Sequence, residues 1–130
     1  MAAADQRSPL INGTPGSTAH RYPENQSVNL TGDLLSHVTS YVKTGTALQE
    51  VYIDGTLEGN NTATLTTFTS EQMSIGAFGS IAANVEFAEM VVVSSALSTA
   101  DRQKIEGYLA HKWGLTANLP EAHPWKTIAP

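Results

Sequence analysis

The sequence predicts a mainly β protein, an antiparallel sandwich with one α-helix near its C-terminus. Three observations lead to this prediction. Along the chain there are several short runs in which apolar and polar residues alternate. This pattern is typical of strands that have one face exposed to solvent. Turn residues such as Asp54-Gly55 separate these runs at hairpin spacing. One longer segment, 99–113, has instead the period of an amphipathic helix and a cap residue at each end.

The helix is predicted over Thr99–Trp113 because both of its ends carry suitable caps. Ser98 is a good N-cap, Asp101 can complete a capping box, and Gly114 suits the left-handed residue that ends a helix. An apolar stripe is expected to be the buried face, with the charged residues largely elsewhere. The stripe consists of Ile105, Tyr108, Leu109 and Trp113, and the charged residues are Asp101, Arg102, Lys104 and Glu106.

The N-terminal region is expected to be an arm or a chain of loops. It is rich in Ala, Ser, Pro, Gly and Asn and has no sustained period. Only two short strands are expected in it, near Pro9–Asn12 and near Ser27–Thr31. Between these two strands, Pro15, Gly16 and Pro23 are expected to interrupt all regular secondary structure.

A hairpin follows. The run from Leu34 or Leu35 to Lys43 alternates, and Leu48–Ile53 forms a second strand that ends at Asp54-Gly55, the strongest short-range hairpin signal. Thr56–Gly59 should return antiparallel to it, and Asn60-Asn61 should make the next turn. Two further strands are expected, over Thr62–Thr69 and Gln72–Gly76.

A strand of a different kind is predicted over Phe87–Val93, directly before the helix. From Met90 to Val93 it is apolar on both sides, which a strand needs only if each of its faces is covered. In a chain of this length the helix, the N-terminal arm or another subunit must supply one of those covers. The sequence therefore predicts a subunit interface, formed by Met90, Val91, Val92 and Val93.

The expected organisation has three regions: an arm or loops with short strands over 1–29, a sandwich with its helix over 30–119, and an extended tail over 120–130. The tail is predicted from Pro120, Pro124 and Pro130, which cannot continue a helix. Leu119 and Trp125 are its expected anchors.

Composition excludes several classes of function. A chain of 130 residues forms one domain that buries roughly two-thirds of its unfolded surface. The net charge of -5, with only 7 Lys and Arg, argues against nucleic acid and anionic membranes as partners. We find no signal-peptide core in Met1–Leu10, and no apolar stretch approaches the ~20 residues of a membrane span. The count of 0 Cys excludes disulfides, thiolate metal sites and cysteine nucleophiles.

Several motifs carry a family resemblance. V-Y-I-D-G-T-L-E-G, M-S-I-G and V-E-F-A-E-M-V-V-V are followed by E-G-Y-L-A-H-K-W-G-L and L-P-x-x-H-P. This order resembles the C-terminal part of laminin-G-like, concanavalin A-like jelly-roll domains, which are frequent in phage structural and bacterial surface proteins. The similarity covers roughly His37–Trp125. It implies a jelly-roll sandwich that is either reduced or completed by something else, because Met1–Asn29 is too short for the family's additional N-terminal strands.

No catalytic residue is predicted. Concanavalin A-like glucanases use two carboxylates that face one cleft, but Glu86 and Glu89 fall on opposite faces of the predicted strand. The four histidines have no metal-ligand spacing, and no G-x-S-x-G nucleophile elbow occurs. A glycoside hydrolase therefore ranks last among the functions considered.

Binding is the activity that the resemblance leaves open. Members of the family often hold Ca²⁺ and sugar at a loop rim, and Asp54, Asn60 and Asn61 would supply hard oxygen ligands. These residues are also what tight turns require, and we favour the turn role. Apart from Ca²⁺, no cofactor is expected. The aromatic residues available for stacking on a sugar, each more often core or interface, are Tyr41, Tyr52, Phe68 and Trp125.

The expected function is a non-catalytic structural or decoration module of a multi-subunit surface assembly, with a phage virion as the favoured case. Its partners would be protein subunits, either further copies or other virion or surface components. Its location would be the virion or the cell surface. The alternative is a carbohydrate-binding adhesion module, whose partner would be a glycan. One form of this alternative is a module whose sugar binding depends on Ca²⁺.

Overall fold

The computed structural model describes residues 10–14, 17–21, 27–30, 35–44, 48–62, 77–78, 81–82 and 87–130. Within these ranges the chain forms two three-stranded antiparallel sheets, one two-stranded pair, an α-helix and a 3-10 helix. The prediction of antiparallel β structure with one C-terminal helix is confirmed at this level.

The first sheet has the order β1-β2-β3 and is antiparallel throughout. Its strands are β1 (Leu10–Thr14), β2 (Ser17–Arg21) and β3 (Ser27–Leu30). β1 and β3 correspond to the two predicted short strands, but β2 was not expected. The prediction that no regular structure forms between them is wrong. Pro15 and Gly16 precede the five residues of β2, and Pro23 follows them.

The second sheet has the order β4-β5-β6, with β4 (Thr39–Thr44), β5 (Leu48–Ile53) and β6 (Thr56–Asn61). β5 has the predicted bounds. Asp54 and Gly55 join it to β6 with φ values of 49° and 81°, the positive pair that a type I′ hairpin turn requires.

The turn predicted at Asn60-Asn61 is wrong. Both residues lie inside β6, where Asn60 pairs with Glu50 and Asn61 with Gln49, because the ladder with β5 continues past a bulge at Val51/Tyr52. Of the strand predicted over Thr62–Thr69, only its first residue is described, and it lies outside a strand; the strand predicted over Gln72–Gly76 falls outside the described residues. The two-stranded pair joins β7 (Ala77–Phe78) to β8 (Ile81–Ala82).

The helix α1 spans Thr99–Trp113, and its predicted caps are confirmed. The Asp101 N–H donates to Ser98 Oγ over 3.1 Å, and that hydroxyl donates to the Asp101 carboxylate over 2.6 Å. Gly114 ends the helix at φ 72°. Both ends of the helix are therefore satisfied by local residues, which explains why the sequence identifies them.

The buried face of α1 differs from the predicted one. The apolar stripe is buried only in part: Leu109 packs against the core, whereas Tyr108 is 45% and Trp113 46% exposed. The face that is buried consists of Arg102, Glu106, Gly107 and Ala110. Small residues allow close approach of the chain that follows, and the two charged residues neutralise each other.

A small apolar core lies between α1, the start of β4 and the C-terminal segment. Val38, Ala110 and Leu119 are buried together, with Leu109 and Leu115 packed against them. The 3-10 helix η1 (Thr116–Asn118) brings Leu119 into this core. Leu119 is 1% exposed, so its role as an anchor of the C-terminal segment is confirmed. None of the helical segments in the described ranges has the length and apolarity needed to cross a bilayer.

The strand predicted over Phe87–Val93 is absent. These residues join none of the sheets in the described part of the chain. A β-branched run forms a strand only where a neighbouring edge pairs with it, because β-propensity depends on context. The division into three regions and the interface assigned to Met90–Val93 stay predictions.

Candidate functional site

The main candidate site is a set of exposed apolar side chains on α1 and on the segment that precedes it. Phe87 is 56%, Val92 68% and Trp113 46% exposed. A fully buried aromatic side chain removes about 150–250 Å² from water, so the three half-exposed aromatic residues leave on the order of 300 Å² in solvent. We call this set the apolar surface; its members are Phe87, Met90, Val91, Val92, Val93, Tyr108 and Trp113.

Glu89 joins the segment 87–93 to the C-terminal half of α1 by hydrogen bonds. Its carboxylate accepts hydrogen bonds from Lys112 Nζ over 3.1 Å and from Trp113 Nε1 over 2.9 Å. Lys112 Nζ also donates to the Tyr108 hydroxyl over 3.0 Å. Val91 contributes to a cavity shared with residues nearer the helix N-terminus, so the segment runs antiparallel to α1.

These contacts shift the pKa values of both charged partners. The hydrogen bond from Lys112, and next that from Trp113, lowers the pKa of Glu89 below its usual value. The hydrogen bond to Tyr108, followed by that to Glu89, raises the pKa of Lys112. Both groups are therefore ionised at neutral pH.

A cavity of about 350 Å³ lies between the segment and the helix. Its walls are mainly apolar: they are formed by Val91, Lys104, Ile105, Tyr108 and Pro130. A cavity of this size and lining has room for an apolar side chain.

The backbone of residues 87–93 is the second notable feature of this surface. Within the described ranges, no backbone hydrogen bond involves these seven residues. Backbone N–H and C=O groups that are not paired within a sheet can pair with a neighbouring strand. The apolar surface therefore combines exposed side chains with backbone groups that none of the described residues pairs.

A buried polar cluster lies on the other side of α1. Arg102 Nη1 donates to both carboxylate oxygens of Glu106, over 2.5 and 2.7 Å, and both side chains are buried. The Arg102 guanidinium also stacks on the ring of Tyr52, 3.5 Å from its centroid. The Tyr52 hydroxyl donates to Glu50, and burial, followed by the charge of Glu50, raises the pKa of Tyr52.

His123 completes this cluster from the C-terminal segment. The Trp125 N–H donates to His123 Nδ1 over 3.3 Å, so a neutral imidazole carries its proton on Nε2. Nε2 faces Glu106 Oε2 at 3.5 Å, an electrostatic contact too long and poorly aligned to be a hydrogen bond. Gly55 packs against the same ring: a Cβ there would lie 2.9 Å from His123 Cδ2.

The cluster binds α1, the β5–β6 turn and the C-terminal segment into one body. The side chains of Glu106 and His123 are fully buried, so a substrate has no access to them. We therefore assign the cluster a structural role. Sequence reasoning missed it, and the available signal was the charged pair four residues apart, Arg102 and Glu106, on a helix whose opposite side carries Tyr108 and Trp113.

The three residues considered as cation ligands are not brought together. Both carboxylate oxygens of Asp54 are used: one accepts from the Val38 N–H at 2.9 Å, and the other lies 2.6 Å from His37 Nδ1. Asn60 and Asn61 lie at the far end of β6 from this turn. In the described ranges no group of three or more His, Asp or Glu side chains is placed to hold a metal.

The candidate sugar-stacking residues are also separated. Adjacent positions of a strand face opposite sides, and Tyr41 lies opposite Val51 whereas Tyr52 lies opposite Ser40, so the two tyrosines are on opposite faces of the sheet. Trp125 packs on Gly107 of α1. Phe68 and Glu86 fall outside the described residues. Tyr41 is 37% exposed and donates to Gln49 over 2.7 Å.

Comparisons with protein-family models, curated proteins and solved structures find no match. The predicted interface residues Met90–Val93 are exposed, and so are Tyr108 and Trp113, which the sequence had assigned to the interior. Val91 and Tyr108 line the same cavity.

Proposed function

We propose that this protein is a non-catalytic structural or decoration module of a multi-subunit surface assembly, and that the apolar surface is where it contacts neighbouring subunits. The single observation that carries the proposal is the exposure of seven large apolar side chains on α1 and on the segment that precedes it, with Val92 at 68%. A monomer gains nothing from keeping such a surface in water, because each square ångström buried contributes roughly 25 cal/mol.

A phage virion is the assembly we favour. Its support is the resemblance to domains of phage structural proteins, which is an analogy of fold. Repeated subunit contacts in a virion would cover the apolar surface on every copy.

We also propose that the two three-stranded sheets are parts of one jelly-roll sandwich of concanavalin A-like type. Their antiparallel order and the closeness of β3 to β6 support this assignment. Stacked sheets lie ~10 Å apart, whereas strands paired edge to edge lie ~4.8 Å apart. Nuclear Overhauser contacts between 27–30 and 56–61 would distinguish the two arrangements, and a continuous backbone ladder between β3 and β6 would contradict stacking.

Association of the purified chain tests the assembly proposal. Sedimentation velocity over a range of concentrations should show that the wild type forms higher species and that Val92→Lys does not, because a buried lysine without a partner is costly. Leu35→Lys is the matched control, since Leu35 is 70% exposed and lies outside the apolar surface. A wild type that stays a folded monomer at every concentration would contradict the proposal.

A carbohydrate-binding adhesion module is the alternative, and the half-exposed ring of Tyr41 is the observation in its favour. A glycan array probed with the full chain, with and without Ca²⁺, tests it. Tight binding by a monomer that Tyr41→Ala abolishes would favour this function over assembly.

A further inference from the structure

We propose that the segment Phe87–Val93 pairs, as an antiparallel strand, with the same segment of a second copy of this chain. The inference rests on the proposed function, because it takes the apolar surface to be a subunit contact. It adds the identity of the partner and the register of the pairing.

The backbone of residues 87–93 is suited to pairing with another strand. None of the described residues shares a backbone hydrogen bond with residues 87–93, although the segment is held in place by Glu89. Addition of a strand would satisfy the groups on one edge of this segment. The anchoring by Lys112 and Trp113 orders the segment beforehand, which lowers the entropic cost of pairing.

The side chains of the segment are compatible with a paired strand. Glu89 bonds to α1 and Val91 lines the cavity against it, so in a strand Ala88, Met90 and Val92 would face the opposite side. Both faces of that strand would be apolar. A paired strand would extend this short surface into a ribbon without burying an unpaired charge.

The side-chain pairing and the position of the one charge favour a second copy over a different protein. An antiparallel pair centred on Met90 places Phe87 opposite Val93, and Ala88 opposite Val92. The single charge of the segment, Glu89, lies opposite Val91 and not opposite another carboxylate. Self-pairing therefore places aromatic and β-branched residues across from each other and no like charges in contact, and two-fold symmetry is the commonest form of association.

The same two-fold axis accounts for the exposed flank of the helix. In an antiparallel pair the axis is perpendicular to the strands, so both copies of α1 lie on the same side of the new ribbon. Strands lie ~4.8 Å apart and packed helices 8–10 Å apart. Tyr108 and Trp113, each about half exposed, would then be available for contact with the partner copy.

Cysteine cross-linking in the full chain tests the register, because the sequence contains 0 Cys. In the proposed pair the two copies of residue 90 are directly opposed, with Cα atoms about 4.5–5.5 Å apart, within disulfide range. Met90→Cys should therefore give a covalent dimer under mild oxidation. Val92→Cys is the matched control, since its two copies would lie about 13 Å apart and should cross-link at least about tenfold less.

The double variant Ala88→Cys/Val92→Cys should restore the cross-link, because these positions face each other in the proposed register. Equal cross-linking of Met90→Cys and Val92→Cys, with wild-type association that Val92→Lys abolishes, would overturn the register and leave the assembly function standing. A monomeric wild type with no cross-link in any variant would overturn both.

Discussion

Arg102 and Glu106 are buried charged residues of the described part of the chain, and their burial is costly. Each leaves water when the protein folds, and their mutual attraction only offsets that loss when both are present. Removing one partner leaves an ionised group in the interior, whereas removing both leaves an apolar contact. The pair is therefore expected to behave as a unit.

We predict that Arg102→Met lowers the free energy of unfolding by about 3–5 kcal/mol, because the Glu106 carboxylate loses both of its bonds from Nη1 while it stays buried. Arg102→Met/Glu106→Met should lose less than the single variant. Urea denaturation of the wild type, both single variants and the double variant measures this cycle. Losses that simply add would show that the two side chains are not coupled.

Gly107 is the second residue where a small change has a large expected effect. Alanine normally stabilises a helix interior by about 1 kcal/mol relative to glycine. Here a Cβ would overlap the Trp125 Cβ and lie 2.9 Å from its Cγ. Gly107→Ala should therefore destabilise the protein by about 1–3 kcal/mol.

Thermal unfolding followed by circular dichroism measures this change. Lys104→Ala, at an exposed position of the same helix, is the control and should stay within about 0.5 kcal/mol of the wild type. A Gly107→Ala variant as stable as the control would mean that the C-terminal segment does not pack on α1 as described.

At the scale of elements, the β5–β6 hairpin depends on Asp54. It adopts φ 49° and its carboxylate contacts the Val38 N–H and His37. Asp54→Ala loses both contacts and places alanine at positive φ, so we expect a loss of about 2–3 kcal/mol in chemical denaturation. Asp54→Asn tolerates that φ and keeps one acceptor, so its loss should be smaller. Equal losses would point to a role for the negative charge alone.

The contact between the 87–93 segment and α1 is predicted to depend on pH. The folded pKa of Glu89 lies below its unfolded value, so its contribution is present above the unfolded pKa and is lost as pH falls through the folded one. In a Trp125→Phe background, Trp113 fluorescence should change on acidification. The change should be absent in the same background carrying Glu89→Gln. An identical titration in both would exclude Glu89 as the titrating group.

Elements defined by local chemistry could be predicted from the sequence, and those defined by contacts could not. The caps at Ser98 and Gly114 and the turn at Asp54-Gly55 depend on a few neighbouring residues, and all three are found. The buried face of α1 depends on a partner 17–21 residues further along the chain, His123 beside Glu106 and Arg102. A prediction based on apolar residues alone therefore identified the wrong face of α1 as the most buried one.

At the scale of the whole molecule, the position of the apolar surface was predictable and its extent was not. Met90–Val93 are conspicuous in the sequence because a short chain has little with which to cover them. Tyr108 and Trp113 are exposed because Leu119, His123 and Trp125 of the C-terminal segment pack on a different face of α1. That choice follows from the pairing of Arg102, Glu106 and His123, which no periodicity reveals.

Assembly should also be visible in the backbone amides. Because residues 87–93 share no backbone hydrogen bonds with the described residues, their amides should exchange rapidly with solvent in a dilute sample. Raising the protein concentration should slow their exchange, while amides of β5 should be unaffected. Hydrogen exchange read by mass spectrometry measures both regions at once. Exchange at 87–93 that is independent of concentration would contradict pairing.

The contact between Gly55 and His123 has a kinetic consequence. It joins positions 68 residues apart in the chain, and the core contact of Val38 with Leu119 spans a greater distance. Closing loops of this length costs entropy before any packing is gained, and proteins dominated by such separations fold slowly, in milliseconds to seconds. The β5–β6 hairpin can form early by itself, but its turn stays uncovered until the segment after α1 arrives.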